Sequence, residues 1–295
     1  MSVDAGPDDG TSGAAAAVRP LDGVAFEPGV AKPDPILIAD GVHRQFGGLV
    51  AVDVDHVEIQ RGLITALIGP NGAGKTTFFN LLTGFDEADG GQWTFDGVAA
   101  NQQSAYKLAR AGMVRTFQLT KSLSRLSVME NMKLGAQGQS GERFWSSLIP
   151  ATWRSQENAN EARATSLLER FRLDHMRDEF AGSLSGGQRK LLEMARALMS
   201  DPHLIMLDEP MAGVNPALTQ SLLGHIKSLR DEGRTVLFVE HDMAVVHDIS
   251  DWVVVMAEGR VIAEGPADSI GRNQEVIDAY LGAHHDLDLG DSDGS

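Results

Sequence analysis

The 295-residue chain predicts an α/β fold, a mostly parallel sheet with helices between its strands. Three observations carry that expectation. Leu63-Ile64-Thr65-Ala66-Leu67-Ile68, Leu204-Ile205-Met206-Leu207 and Thr235-Val236-Leu237-Phe238-Val239 are short apolar runs of the kind that buried strands make. Leu191, Leu192, Ala195, Leu198 and Met199 fall at helical spacing, a core-facing stripe on a helix that runs to about Ser200. The first apolar run also leads through a glycine-rich loop into Thr77-Phe78-Phe79-Asn80-Leu81-Leu82, which reads as a helix.

In chain order, residues 1–33 hold Asp4, Asp8, Asp9, Asp22 and Glu27 among Gly, Ala and Pro, and residues 284–295 hold Asp286, Asp288, Asp291 and Asp293. Neither stretch can bury enough apolar area to offset ordering entropy, so both are predicted disordered. His284-His285 could bind a metal adventitiously, but a solvated tail is the simpler reading. Residues 34–117 read as the first half of the core. Residues 118–187 read as mostly helical, with Val128-Met129-Glu130-Asn131 opening one helix and Glu157 to Leu173 a longer one. Phe144, Trp145 and Trp153 lie in a less regular part of this segment, where packing under a long loop is the ordinary expectation and a membrane partner the alternative. Residues 188–265 return to the core, a terminal helix follows at about Asn273–Leu281, and there are no internal repeats.

Gly69-Pro70-Asn71-Gly72-Ala73-Gly74-Lys75-Thr76-Thr77 fits the phosphate-loop pattern of Gly, four residues, then Gly-Lys-Thr, in the strand–loop–helix context it needs. Glycines let the backbone wrap closely enough for successive N–H groups to face phosphate oxygens. The helix that follows directs its positive end at the same anion. Lys75 would reach the β- and γ-phosphates, the Thr76 hydroxyl would ligate Mg²⁺, and Thr77 would add a phosphate contact.

Downstream, the strand Leu204–Leu207 ends in Asp208 and Glu209. Adjacent acids at the end of a central strand point to a cation or a moving proton, because an unpaired buried carboxylate is costly. Leu184-Ser185-Gly186-Gly187-Gln188 opens the helix carrying the apolar stripe, a second anion-binding helix end in a chain that already has one. The stretch Gly182-Ser183-Leu184-Ser185-Gly186 is not a hydrolase nucleophile elbow, since its serines miss the central place.

Together these strings resemble the ATP-binding cassette family, the motor subunits of ABC transporters, over nearly the whole folded part of the chain. The resemblance implies a P-loop NTPase cassette with a RecA-like core, an antiparallel β part and a helical subdomain at about 118–187, the whole domain covering 34–283. It implies that Asp208 holds Mg²⁺ through its water shell and that Glu209 is the general base. Ser185, Gly186, Gly187 and Gln188 would cap the γ-phosphate bound to an opposing subunit. Gln118, in Arg115-Thr116-Phe117-Gln118, would touch Mg²⁺ or the water and link the core to the membrane partner. His241 would contact the γ-phosphate, and Phe46, in Gln45-Phe46-Gly47-Gly48, would stack on adenine. Asn215 stands where most cassettes carry Asp, which keeps the hydrogen-bonding shape without the charge. The strings around Phe46, Gln118, Asn215 and His241, with the ending Ala279-Tyr280-Leu281-Gly282, resemble the cassettes of branched-chain (hydrophobic) amino-acid importers.

Composition fits these expectations. With 42% hydrophobic residues, the chain can form one large domain with a substantial core. It has no cysteine, hence no disulfide framework or thiolate metal site. No apolar run approaches the ~18–20 residues of a membrane span, and Met1 to Pro20 lacks a basic leader. The expected location is cytoplasmic, at the inner face of the membrane through permease subunits. The implied partners are a second cassette, permease subunits and, indirectly, a substrate-binding protein. A net charge of −16 argues against nucleic acid. Two rival functions are a cassette for another cargo, such as urea or lipopolysaccharide, and a soluble ABC-type ATPase acting on ribosomes or DNA.

Overall fold

The computed structural model describes residues 21–116, 124–136 and 150–288. Among them the chain forms strands β1 (Pro35–Phe46), β2 (Leu49–Gln60) and β3 (Ile64–Ile68), helix α1 (Lys75–Leu82), then β4 (Gly90–Phe95), β5 (Val98–Ala99), α2 (Ala105–Ala111) and β6 (Met113–Arg115). The helical part follows as α3 (Val128–Leu134), α4 (Pro150–Arg170) and α5 (Gly186–Leu198). The core resumes with β7 (Leu204–Asp208), α6 (Pro216–Asp231), β8 (Thr235–Val239), α7 (Met243–Ile249), β9 (Trp252–Ala257), β10 (Arg260–Gly265), α8 (Ala267–Ile270) and α9 (Gln274–Asp288).

The central sheet has the order β10-β9-β3-β8-β7-β6, parallel except for the β9–β10 hairpin. Both of its faces are buried, which explains the unbroken apolar runs. Alternate residues serve different cores. Ile64, Ala66, Ile68, Ile205, Leu207, Val236, Phe238, Val253 and Val255 join the core that includes residues of α3 to α7. Leu67, Leu204, Met206, Leu237, Val239 and Val254 join residues of α1, α2 and the antiparallel sheet β2-β1-β4-β5 in the other. The expected antiparallel β part therefore packs on one face of the parallel sheet, and the helical part lies beside the other.

Parallel pairing gives β3, β6, β7 and β8 a common polarity, so the segments that follow them leave from one edge of the sheet. The phosphate loop follows β3, Thr116 follows β6, Glu209 follows β7, and Glu240-His241 follows β8. In the register, Leu67 pairs with Val239 and Val239 with Asp208. The acids thus lie two strands, about 10 Å, from the phosphate-loop strand. Ligands of open α/β sheets bind at this carboxyl edge.

Two expectations need correction. Residues 21–33, assigned to a disordered tail, pack on the core. Lys32 is buried, its Nζ 2.7 Å from Glu264 Oε2, and Trp252 Nε1 donates to the same oxygen at 3.0 Å. The Gly29 N–H donates to Glu264 Oε1 at 2.7 Å, and Phe26 meets Trp252 edge-on at 5.9 Å. A buried ion pair, main-chain bonds to the carboxylates of Glu264 and Glu58, and apolar contacts of Leu21, Val24, Val30 and Phe26 hold the strap, and an average over composition does not register them. The terminal helix likewise runs past the expected Leu281, to Asp288. Residues 1–20 and 289–295 lie outside the described residues.

Candidate ATP-binding site

The phosphate loop is built from backbone that only glycine adopts without strain. Gly69, Gly72 and Gly74 have φ of 147°, 79° and 92°. A Cβ on Gly69 would lie 2.0 Å from the Met256 carbonyl oxygen, and one on Gly74 would lie 2.2 Å from that of Ala51. The loop is pinned where the Ala73 N–H donates to Pro70 O at 3.2 Å and Gly259 N–H to Ala73 O at 3.1 Å. Its tip, Asn71 and Gly72, is exposed, as is Thr76 in the first turn of α1, while Thr77 is half-buried. The leading N–H groups of that helix have no intrahelical acceptors and are free to bind an anion. Lys75 is buried, with Nζ donating to Gly69 O at 2.7 Å and Pro70 O at 2.8 Å. Burial pushes its ammonium down, while the carboxylates of Glu209 and Asp208 act in the opposite direction. The lysine and the two acids therefore share one electrostatic site.

Asp208 Oδ2 accepts from Arg115 at 2.5 Å, and the same guanidinium donates to Asn80 Oδ1 on α1. This links β6, β7 and the helix after the phosphate loop. Glu209 adopts a left-handed φ of 46°, which is uncommon for a non-glycine residue and marks stored strain. Its Oε1 lies 3.3 Å from His241 Nε2, and its N–H donates to Val239 O at 3.1 Å. Both side chains are partly exposed at the sheet edge. The arrangement can orient a water beside Glu209 with His241 adjacent to the same carboxylate.

Phe46 is 47% exposed and has the Arg44 guanidinium 4.6 Å from its ring centroid. It closes the β1–β2 hairpin opposite Leu49, and two residues on, the Ala51 carbonyl abuts Gly74. The ring therefore stands on an element that touches the phosphate loop and remains available for stacking.

Ser185 caps α5. Its Oγ accepts from Gln188 N–H at 3.3 Å, and Gln188 Oε1 accepts from Ser185 N–H at 2.9 Å. Gln188 Nε2 reaches Met176 Sδ at 3.4 Å. Gly187 lies under α6, where a Cβ would meet Leu218 Cδ2 at 1.7 Å, and Gly186 is exposed. Asn215 caps α6, its Oδ1 accepting from Leu218 N–H at 3.0 Å, so the hydrogen-bonding shape that Asp would supply is in use.

Gln118 lies outside the described residues, as do Phe144, Trp145 and the side chains of Trp153, His284 and His285. Sequence reasoning missed four residues. Arg115 holds Asp208. Glu240, buried and with its carboxyl pushed up by that burial, accepts from Met211 N–H at 2.9 Å and His241 N–H at 3.3 Å. Lys190 and Glu193 lie on α5 behind the acids. Burial pushes Glu193 up to about 7 against the pull of Arg196, Lys190 and Arg189. Arg115 was visible only as part of a family string, and the other three had no local signal.

The profile of the ABC transporter family matches residues 52–212, more than half of the chain. The chain belongs to the ABC transporter ATP-binding family. Such cassettes bind and hydrolyse ATP, and this one is an ATPase subunit. The profile of the branched-chain amino acid ATP-binding cassette transporter matches residues 260–286. The cassette is 42% identical to a probable branched-chain amino acid transport ATP-binding protein of Archaeoglobus fulgidus, over 84% of this chain and 96% of that protein. It is 41% identical to the high-affinity branched-chain amino acid transport ATP-binding protein of Pseudomonas aeruginosa, over 84% and 98%. A crystal structure of a nucleotide-free ATP-binding cassette from an ABC transporter matches with a TM-score of 0.73 at 36% identity, covering 83% of this chain and 98% of that one. The parallel core, antiparallel sheet and helical part read from the sequence are thus those of an ABC cassette.

Among the described residues no helix is long and apolar enough to cross a membrane, and none forms a cluster of three or more His, Asp or Glu suited to a metal on its own. The oxygen donors of Thr76 and Asp208 suit Mg²⁺, which keeps several waters and binds through one or two protein ligands together with phosphates.

Proposed function

We propose that this cassette powers the uptake of branched-chain or other hydrophobic amino acids as a peripheral subunit on the cytoplasmic face of a membrane permease. The reading rests on relatives matched along almost their whole length whose names state that transport. Those names favour it over a urea or lipopolysaccharide cassette and over a soluble factor. The partners would be a second cassette, the permease subunits and, through them, a binding protein.

In this reading the phosphate-loop amides, Lys75, Thr76 and Thr77 bind the β- and γ-phosphates, and Phe46 stacks on adenine. Lys75 would exchange its carbonyl contacts for phosphate oxygens. Mg²⁺ held near Thr76, Asp208 and Gln118 would neutralise charge developing on the phosphoryl oxygens. Glu209 accepts the proton of the attacking water, with His241 steadying the carboxylate and facing the γ-phosphate. Phosphoryl transfer is mainly positioning and electrostatics, which a set of backbone donors and a few fixed side chains can supply. The exposed start of α5, at Ser185 and Gly186, would offer an anion-binding end to a nucleotide held by the second cassette.

Two experiments test the reading. Glu209→Gln should bind ATP normally, hydrolyse it roughly 10²–10⁴ times more slowly, and form an ATP-dependent dimer; near-normal turnover would remove Glu209 as the base. Deleting the gene should lower uptake of leucine, isoleucine or valine at low external concentration. Unchanged uptake of all three, with no redundant system present, would reject the cargo and leave the ATPase assignment standing.

A further inference from the structure

Lys190 is the fifth residue after the Ser185 cap of α5, about 7.5 Å along that helix. Its ammonium leaves the helix and donates to two main-chain carbonyls, those of Glu209 and Pro210, each at 2.9 Å. The stretch it grips carries strain, since Glu209 holds a left-handed φ of 46°. A second side chain fastens the same turn. Glu240, at the end of β8, accepts from the Met211 N–H, and the Ala212 N–H closes the turn onto Glu209 O at 3.1 Å. Beside Lys190 lies a cavity of about 30 Å³ lined by Thr116, Glu193, Met194, Leu207, Asp208 and Pro210, among others. That is room for a water or two and too little for a ligand.

A lysine ammonium is a compact charge with three donors on a flexible stem, so one side chain can reach two adjacent carbonyls at once. The contact joins the helix whose start faces outward for a second nucleotide to the backbone that aims the carboxylate at its own. No other side chain of α5 is hydrogen-bonded to the Glu209–Met211 turn among the described residues.

We propose that Lys190 is a positioning residue for hydrolysis, holding the Glu209 carboxylate in line through its backbone and passing movement of the α5 start to it. This rests on the reading of Glu209 as the base. The contacts of Lys190 are to main-chain carbonyls, and its effect runs through that of Glu209.

The test uses the full-length chain, with steady-state ATP hydrolysis, equilibrium binding of a fluorescent ATP analogue and thermal unfolding measured for each variant. Lys190→Met keeps the stem and removes the donor. It should lower kcat by about 10- to 100-fold, the scale expected when a reacting group is displaced by about 1 Å, while nucleotide affinity stays near that of the parent. Lys190→Arg, which can still reach both carbonyls, should recover most of the rate. Parent-like turnover in Lys190→Met overturns the proposal. So does an equal loss in Met and Arg variants accompanied by equal loss of thermal stability, which would show a packing role. If the Met variant does not fold, the comparison of Lys190→Gln with Lys190→Arg decides on the same criteria. Glu209→Gln is measured alongside: if it keeps near-normal turnover, the base assignment fails, whereas an inactive Glu209→Gln beside a fully active Lys190→Met rejects the role of Lys190 alone.

Discussion

At Phe46, exposure separates two roles that the sequence left side by side. A core phenylalanine would be buried, yet this ring is about half exposed on a hairpin that touches the phosphate loop. Phe46→Ala should weaken ATP binding by about 1–3 kcal/mol, the worth of one base–aromatic stack, and GTP binding in parallel, because stacking barely distinguishes purines. Titration of both nucleotides checks this, and unchanged affinities would assign adenine to another residue. Glu193 makes the second residue-scale prediction. Its folded value of about 7 lies above its ordinary 4.5, so between those values the folded state binds more protons than the unfolded. This contribution to stability is fully present below about pH 4.5, declines as pH rises, and is gone above about pH 7. Glu193→Gln should flatten that part of the curve, seen as a smaller fall in Tm across the window than in the parent. Equal slopes would place the carboxyl in an ordinary environment.

At the scale of elements, the caps account for where helices begin. Ser185 with Gln188 forms a reciprocal box on α5, and Asn215 caps α6 beside Pro216 at the first helical position, where proline's fixed φ is already suited. The departure from the commoner Asp at 215 therefore leaves the element's start intact. Asn215→Asp should match or exceed the parent in stability, by a few tenths of a kcal/mol from the added charge at the helix N-terminus. Urea unfolding measures this, and a loss of about 1 kcal/mol, the size of a lost cap, would show that the site selects against the charge. Apolar runs, helical stripe and glycine-rich loop all appeared in the structure within a few residues of their expected bounds. Each is a repeating or consecutive pattern that local backbone geometry reads directly.

For the whole molecule, the strap 21–33 ties the chain's start to β9 and β10. Lys32 and Glu264 are both fully buried, and a buried pair is costly to break because the surviving charge has no partner. Lys32→Met should lose roughly 3–5 kcal/mol in chemical denaturation, and adding Glu264→Gln should recover part of it, since the neutral amide no longer leaves a bare charge. Wild-type stability in the single variant would mean that the strap does not hold the fold.

The sequence by itself determined the sheet class, the phosphate loop, the acids at the end of β7 and the start of α5. In each case the required chemistry lies in consecutive residues: glycines where φ is positive, apolar runs where both faces are covered, and a helical stripe that begins just after Ser185-Gly186-Gly187. Only the tertiary structure decided that Arg115 holds Asp208, that Lys190 and Glu240 fasten the turn carrying Glu209, and that Lys32 anchors the strap. Their partners stand between 19 and 232 positions away in the chain. No local period marks a charged side chain whose partner is brought to it by a sheet crossover, and composition counts such a residue as surface until packing encloses it.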